Sequence, residues 1–304
     1  MIQASAQRGT GSASVASQRL ALVVLGATIL ALSSFLAWEV PRISRVTAAH
    51  TDFIETIYGL RAFEAGHDPY GDAVAAQVDR LMVGHPLPPP PGGHYEHPFL
   101  YVLPPALVYL PATWLPDEAA IIAVRAVTVA LYLVALILLI WRFASALPAA
   151  VRGGLLLIAL AWWPFLAVIL PIVQQAGTVF AVMVLAALAA ERGHWFWAGI
   201  ACFIVLLKPT ESAPIVALLA LWALRTPTAT RPFLAGLLAL GLPASAVAFI
   251  VRPTWPLDWV RVLGALRAGH FDYNIDLVST AAAALHVPVA LMWAVAVVVA
   301  LAWA

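Results

Sequence analysis

Apolar stretches follow one another along almost the whole of this chain, near residues 20–40, 119–141, 154–170, 176–190, 195–208, 212–224, 233–251 and 277–304. No other feature constrains the fold as strongly. With 63% hydrophobic and 10% charged residues and a mean hydropathy of +0.94, a soluble domain of 304 residues would have to be nearly all core, so composition points to a bilayer. A transmembrane helix needs about 20 apolar residues, with about 17 the practical minimum. Several stretches fall short of that, which allows for tilted or broken segments. The expectation is an all-α, polytopic membrane helical bundle of about eight transmembrane helices. Residues 1–19 form a cytoplasmic N-terminal segment and residues 20–304 a single transmembrane domain. Stretch 20–40 reads as a retained helix, because its apolar run exceeds the roughly 7–15 residues of a signal peptide and no small-x-small site follows it.

Between the first two stretches lies a polar segment, residues 41–98, expected as a large first outer loop. It carries the acids Asp52, Glu55, Glu64, Asp68, Asp72, Asp79 and Glu96 and the histidines His50, His67, His85, His94 and His97. Residues 86–93 are proline- and glycine-rich and predict an extended, polyproline-like spacer. In residues 99–115, Pro104, Pro105 and Pro111 weaken any helix, so a re-entrant or interfacial segment is expected. The inner connections hold Arg142, Arg152, Arg192, Arg225 and Arg231, joined by Arg8 and Arg19 in the N-terminal segment, against Glu191 alone. By the positive-inside rule this puts the N-terminus in the cytoplasm and segment 41–98 outside the plasma membrane. The last stretch ends apolar, at residues 301–304, without a charged flank, so the chain reads as truncated from a longer protein. A net charge of +1 without basic runs argues against nucleic acid. Cys202 is the sole cysteine, which excludes intrachain disulfides and cysteine-based metal sites.

On this topology polar residues from distant parts of the chain converge at the outer leaflet. They are Asp52 after the first helix, Arg125 in the second, Gln174 and Gln175 between the third and fourth, and Lys208 and Glu211 between the fifth and sixth. Arg261, Arg267, His270, Asp272 and Asp276 follow in a later outer loop. A charge inside the membrane costs about 2.5–3.5 kcal/mol on insertion scales and usually has a partner or a task. Plainer readings stand beside this one. Lys208 and Arg125 can snorkel to headgroups; Glu211 can simply pair with Lys208 across one helical turn; Gln174-Gln175 can solvate a turn. His94 and His97 are spaced like metal ligands, but that spacing alone is weak.

One ordered set of motifs is more distinctive. Thr51-Asp52-Phe53, followed by Gly66-His67-Asp68-Pro69-Tyr70, resembles glycosyltransferase family 87, polyprenol-phosphate-mannose-dependent mannosyltransferases of the multi-spanning GT-C class. The resemblance continues through His97-Pro98-Phe99-Leu100-Tyr101, Leu103-Pro104-Pro105-Ala106-Leu107, Gln174-Gln175-Ala176-Gly177 and Ala198-Gly199 through Leu207-Lys208-Pro209. It departs from the family where the glutamine turn lacks a preceding glycine and an asparagine. It implies a GT-C helical bundle and transfer of a hexose, mannose by this likeness, from a polyprenyl-phosphate donor to a glycan or lipid-glycan acceptor on the non-cytoplasmic face. Inversion would follow with Asp52 as general base. Lys208 and Arg125 would meet the lipid phosphate, and Gln174, Gln175, Asp68 and Tyr70 would contact sugar or orient the segment. With no Asp-x-Asp pair in 41–98, neither a metal nor another cofactor is expected. The rival readings are a transporter or flippase of a lipid-linked glycan, suggested by Pro164, Pro214, Pro243 and Pro288 inside spans, and an inactive truncated relative.

Overall fold

The computed structural model describes residues 19–20, 22–31, 33–34, 51–83, 97–160 and 172–268. The spacer 86–93, His50, His85, His94, Glu96, His270, Asp272, Asp276, Pro164, Pro288, the stretch 277–304 and parts of stretches 20–40 and 154–170 lie outside these. Every regular element among the described residues is a helix. After α1 (Leu22–Ala31) come α2 (Phe53–Glu64), α3 (Asp72–Val83), α4 (Leu103–Ala106), α5 (Leu110–Thr113), α6 (Asp117–Phe143), α7 (Ala149–Leu160), α8 (Gln175–Glu191), α9 (Trp195–Val205), α10 (Pro209–Arg225), α11 (Thr230–Val251) and α12 (Trp255–Ala268).

Among the described residues two helices, α6 with 27 residues and α11 with 22, are long and apolar enough to cross a membrane. At 1.5 Å per residue they span about 40 and 33 Å. Only 33% of the apolar window of α6 and 11% of that of α11 are covered by the rest of the chain, so neither is a soluble-type core helix. The stretches expected at 195–208 and 212–224 form α9 and α10, of 11 and 17 residues. Proline explains the break between them. A residue before proline is pushed out of the helical region, and Lys208 accordingly sits at φ −121°, ψ 79°, with Pro209 opening α10 where its missing N–H is no loss. Ser212 donates from Oγ to the carbonyls of Val205 (2.7 Å) and Lys208 (3.0 Å), which stitches the corner shut.

Within the polar segment, residues 51–83 are not a free loop. Its α2 and α3 contribute Phe53, Ile54, Ile57, Val74 and Val78 to one apolar cluster with Ala120, Ile121 and Val124 of α6, so the first helix–helix unit is docked on the top of a candidate span. Residues 103–113, where three prolines weaken the case for a helix, coil into α4, a 3-10 turn (Leu107–Tyr109) and α5. Pro104 and Pro111 fall in first turns, which tolerate proline. Pro214 and Pro243, expected inside spans, lie within α10 and α11, which continue through them unbroken. The tightest crossing is α9 on α11. A Cβ on Gly199 would overlap the Phe233 carbonyl, and one on Gly236 the Phe196 carbonyl, so glycine is what lets these backbones touch.

Candidate functional site

Three helices begin at one place, and their N-cap residues are Asp52 (α2), Gln174 (α8) and Lys208 (α10). An N-cap side chain ordinarily satisfies its own helix; none of these three does. They bond to one another instead. Gln174 Nε2 donates to Asp52 Oδ2 at 2.6 Å, and Lys208 Nζ donates to Gln174 Oε1 at 2.8 Å. A carboxylate only accepts and an ammonium only donates, so the amide has a single orientation that serves both. Two hydrogen bonds through one amide hold carboxylate and ammonium within about 8 Å. Lys208 Nζ also pairs with Glu211 Oε1 at 2.8 Å, its side chain 18% exposed against 39% for Glu211.

Backbone bonds brace these corners. Asp52 N–H donates to the Ile172 carbonyl at 2.8 Å, and Val102 N–H donates to that of Leu207 at 3.4 Å. Between Ile172 and Gln174, the buried Val173 takes φ +50°. A β-branched residue there is a genuine outlier, a strain of roughly 1–3 kcal/mol that the surrounding contacts hold in place.

A second row lies beneath the first. Tyr101 Oη donates to Gln175 Oε1, and Gln175 Nε2 donates to Thr56 Oγ1 at 2.6 Å. Glu55 is buried one turn after Asp52. Asp79, also buried, accepts from His97 Nδ1 at 2.6 Å. Of the residues expected at the site, the fold therefore joins Asp52, Gln174 and Lys208 directly and sets Gln175 beside them. Asp68 and Tyr70 are placed one layer away with their polar atoms engaged inside the chain. Asp68 accepts from Arg252 Nη2 (2.7 Å) and from the Tyr70 N–H (3.0 Å). Tyr70 donates to the Tyr101 carbonyl at 2.8 Å and packs its ring on Phe99. Arg125 sits on α6, where the charge acting on it is that of Glu118. Sequence reasoning missed Glu55, Thr56 and Tyr101 as site residues. Glu55 falls three residues after Asp52, on the same helical face, a signal that only matters once α2 is known to be a packed helix.

Burial raises the Asp52 pKa above its ordinary 3.8, against the opposing pull of the Lys208 ammonium, the Gln174 hydrogen bond and His97. For Glu55, burial and then the neighbouring Asp52 charge push the carboxyl well above 4.5, while Tyr101 is held neutral by burial and by nearby carboxylates. The linkage follows. An acid whose folded pKa is raised stabilises fully below its unfolded value, and that contribution is lost as pH rises through the folded one. Glu55→Gln is therefore expected to melt higher than the parent at about pH 8 and no higher at about pH 4. Thermal unfolding in detergent across that range checks it; an equal gain at both ends would mean the charge of Glu55 is not the cause.

The arrangement offers a carboxylate base and a fixed cation on either side of a short bridge, at the positive ends of three helix dipoles. Among the described residues no cluster of three or more His, Cys, Asp or Glu could hold a metal ion. Comparison with family models, with curated proteins and with solved structures finds no match to the chain.

Proposed function

We propose that the chain is a multi-pass glycosyltransferase of the plasma membrane, built on a GT-C type bundle with its active site on the non-cytoplasmic side. It moves a hexose, mannose by the family resemblance, from a polyprenyl-phosphate donor to an acceptor hydroxyl with inversion. The observation that carries this reading is the hydrogen-bonded chain Asp52–Gln174–Lys208 at three converging helix N-termini. The bare flanks of α6 and α11 support a bilayer around it.

Each group has a role in this reading. The donor phosphodiester lies against Lys208 and the first turns of α8 and α10, where negative charge that grows on leaving is met by fixed positive charge. The acceptor hydroxyl approaches Asp52, whose Oδ2 is held by Gln174. As the acceptor oxygen bonds to the anomeric carbon, its proton passes to Asp52 and the carbon–oxygen bond to the lipid phosphate breaks. Glu211 occupies Lys208 until the phosphate arrives, so donor binding exchanges one anion for another.

The test is transfer of label from radiolabelled polyprenol-phosphate-mannose to candidate acceptors in membranes that contain the protein. Labelled acceptor supports the reading; movement of the lipid across the bilayer without transfer would favour a flippase. Lys208→Met is expected to raise the donor KM about tenfold to hundredfold, the value of a hydrogen bond to a charged group. A donor KM unchanged in that variant would take Lys208 out of phosphate binding.

A further inference from the structure

Asp52 and Lys208 carry opposite charges, yet they meet through Gln174 instead of directly. Among the described residues the ion pair of Lys208 is with Glu211. Asp52 is partly buried and the Lys208 side chain is mostly covered, so little water screens their attraction. The ammonium rides on a long, flexible stem that can follow such a pull. What stands between the two charges is one neutral amide. Its Nε2 occupies Oδ2 of Asp52 at 2.6 Å, and its Oε1 takes one hydrogen of the ammonium at 2.8 Å. The amide dipole is thus aligned with both charges. It is also hard to push aside. Gln174 sits between Val173, held at φ +50°, and the buried Gln175, whose side chain is tied at one end to Tyr101 and at the other to Thr56.

We propose that Gln174 is a positioning residue that works as a spacer: its amide keeps the Asp52 carboxylate and the Lys208 ammonium from closing into an ion pair with each other. The inference rests on the proposed transfer, in which Asp52 takes the acceptor proton and Lys208 holds the donor phosphate. A direct pair would silence both groups at once. A carboxylate paired to an ammonium is a poorer base, and an ammonium spent on a carboxylate has fewer hydrogens left for phosphate. An amide suits the position because it donates at one end, accepts at the other and does not ionise. Glutamate there would itself seize Lys208 and repel Asp52, and serine is too short to reach both. Glu211 is a different kind of partner. Its side chain is 39% exposed, so water weakens the pair and an incoming phosphate can displace it.

The experiment removes the spacer. Gln174 is the N-cap of α8, and serine is a favoured N-cap, so Gln174→Ser keeps the helix start while taking away the amide. Should it fail to fold, Gln174→Gly carries the same expectation. Binding of a polyprenyl phosphate to the purified full chain in detergent is measured by calorimetry. Gln174→Ser is expected to bind about tenfold more weakly, the loss that follows when Lys208 is turned to Asp52 in about nine molecules of ten. Adding Asp52→Asn to that variant is expected to return the affinity close to the parental value, because it sets Lys208 free. A residue that merely supports the fold would not be rescued by deleting the base. With the spacer present, Asp52→Asn should leave the affinity nearly as it was. Thermal unfolding gives a second readout without ligand: the non-additivity of Asp52→Asn and Lys208→Met is expected to grow by about 2–4 °C in the Gln174→Ser background. In a parent that binds the lipid phosphate, an affinity untouched by Gln174→Ser, or one that Asp52→Asn does not restore, overturns the proposal. So does a non-additivity that stays put or shrinks. A parent that neither binds the lipid phosphate nor transfers counts against the transferase reading, and the unfolding measurement then decides the spacer by itself.

Discussion

Replacing Asp52 by asparagine is expected to reduce transfer about 10²–10⁴-fold, the range that a positioned general base contributes. That factor corresponds to about 3–5 kcal/mol of barrier. The substitution is a clean one. Asparagine has nearly the same shape, it still accepts from Gln174 Nε2 through its carbonyl oxygen, and the Asp52 N–H bond to Ile172 belongs to the backbone. What goes is the charge and the capacity to take a proton. The loss should fall on kcat with little change in donor KM, because the proposed mechanism assigns the donor phosphate to Lys208 and not to Asp52. Initial rates at varied donor concentration measure both. If Asp52→Asn transfers at the parental rate, the base lies elsewhere and the central assignment fails. Stability is expected to rise slightly above the ordinary carboxylate range, since burial already disfavours the charge that asparagine removes.

Gly236→Val should be the most damaging change outside the site. The added Cβ meets the Phe196 carbonyl, a backbone atom with nowhere to move, and Gly199 faces Phe233 in the same way across the crossing. Overpacking usually costs about 1–3 kcal/mol where side chains can give way; against rigid backbone on both helices the cost should reach or exceed the top of that range. Since α9 leads straight into Lys208, parting α9 from α11 also displaces the cation from Gln174. The expected readout is loss of folded, monodisperse protein in detergent together with loss of transfer. Gly153→Ala is the control. No atom lies within 4 Å of a Cβ at that position, and alanine is worth roughly 0.8–1 kcal/mol over glycine in a helix interior, so that variant should melt at or above the parent temperature. Normal folding of Gly236→Val would show that the two helices are free to separate.

Much of the helical content was legible from the apolar stretches. The segments expected at 119–141, 176–190 and 233–251 emerge as α6, α8 and α11 with ends shifted by only a few residues. Lengths were harder to read. The helix expected over 195–208 stops at Val205, ahead of the corner that local steric exclusion at Lys208-Pro209 imposes. Polarity misled in the opposite direction: segment 41–98 looks solvated, yet Phe53, Ile54 and Ile57 bury one face of α2 against α6. A helix with charges on one side and a short apolar stripe on the other gives a weak periodic signal in a chain where everything else is apolar.

Sequence by itself determined the material of this protein, apolar helices with a polar insertion, and singled out Asp52, Gln174 and Lys208 as separate candidates. Only the tertiary structure decided that these three are one chain of hydrogen bonds, that Asp79 holds His97, and that Asp68 is taken up by Arg252. The reason lies in chain separation. Asp52 and Gln174 are 122 residues apart, and no local propensity or periodicity encodes which helix N-termini meet; packing of α2, α8 and α10 around their shared corner does.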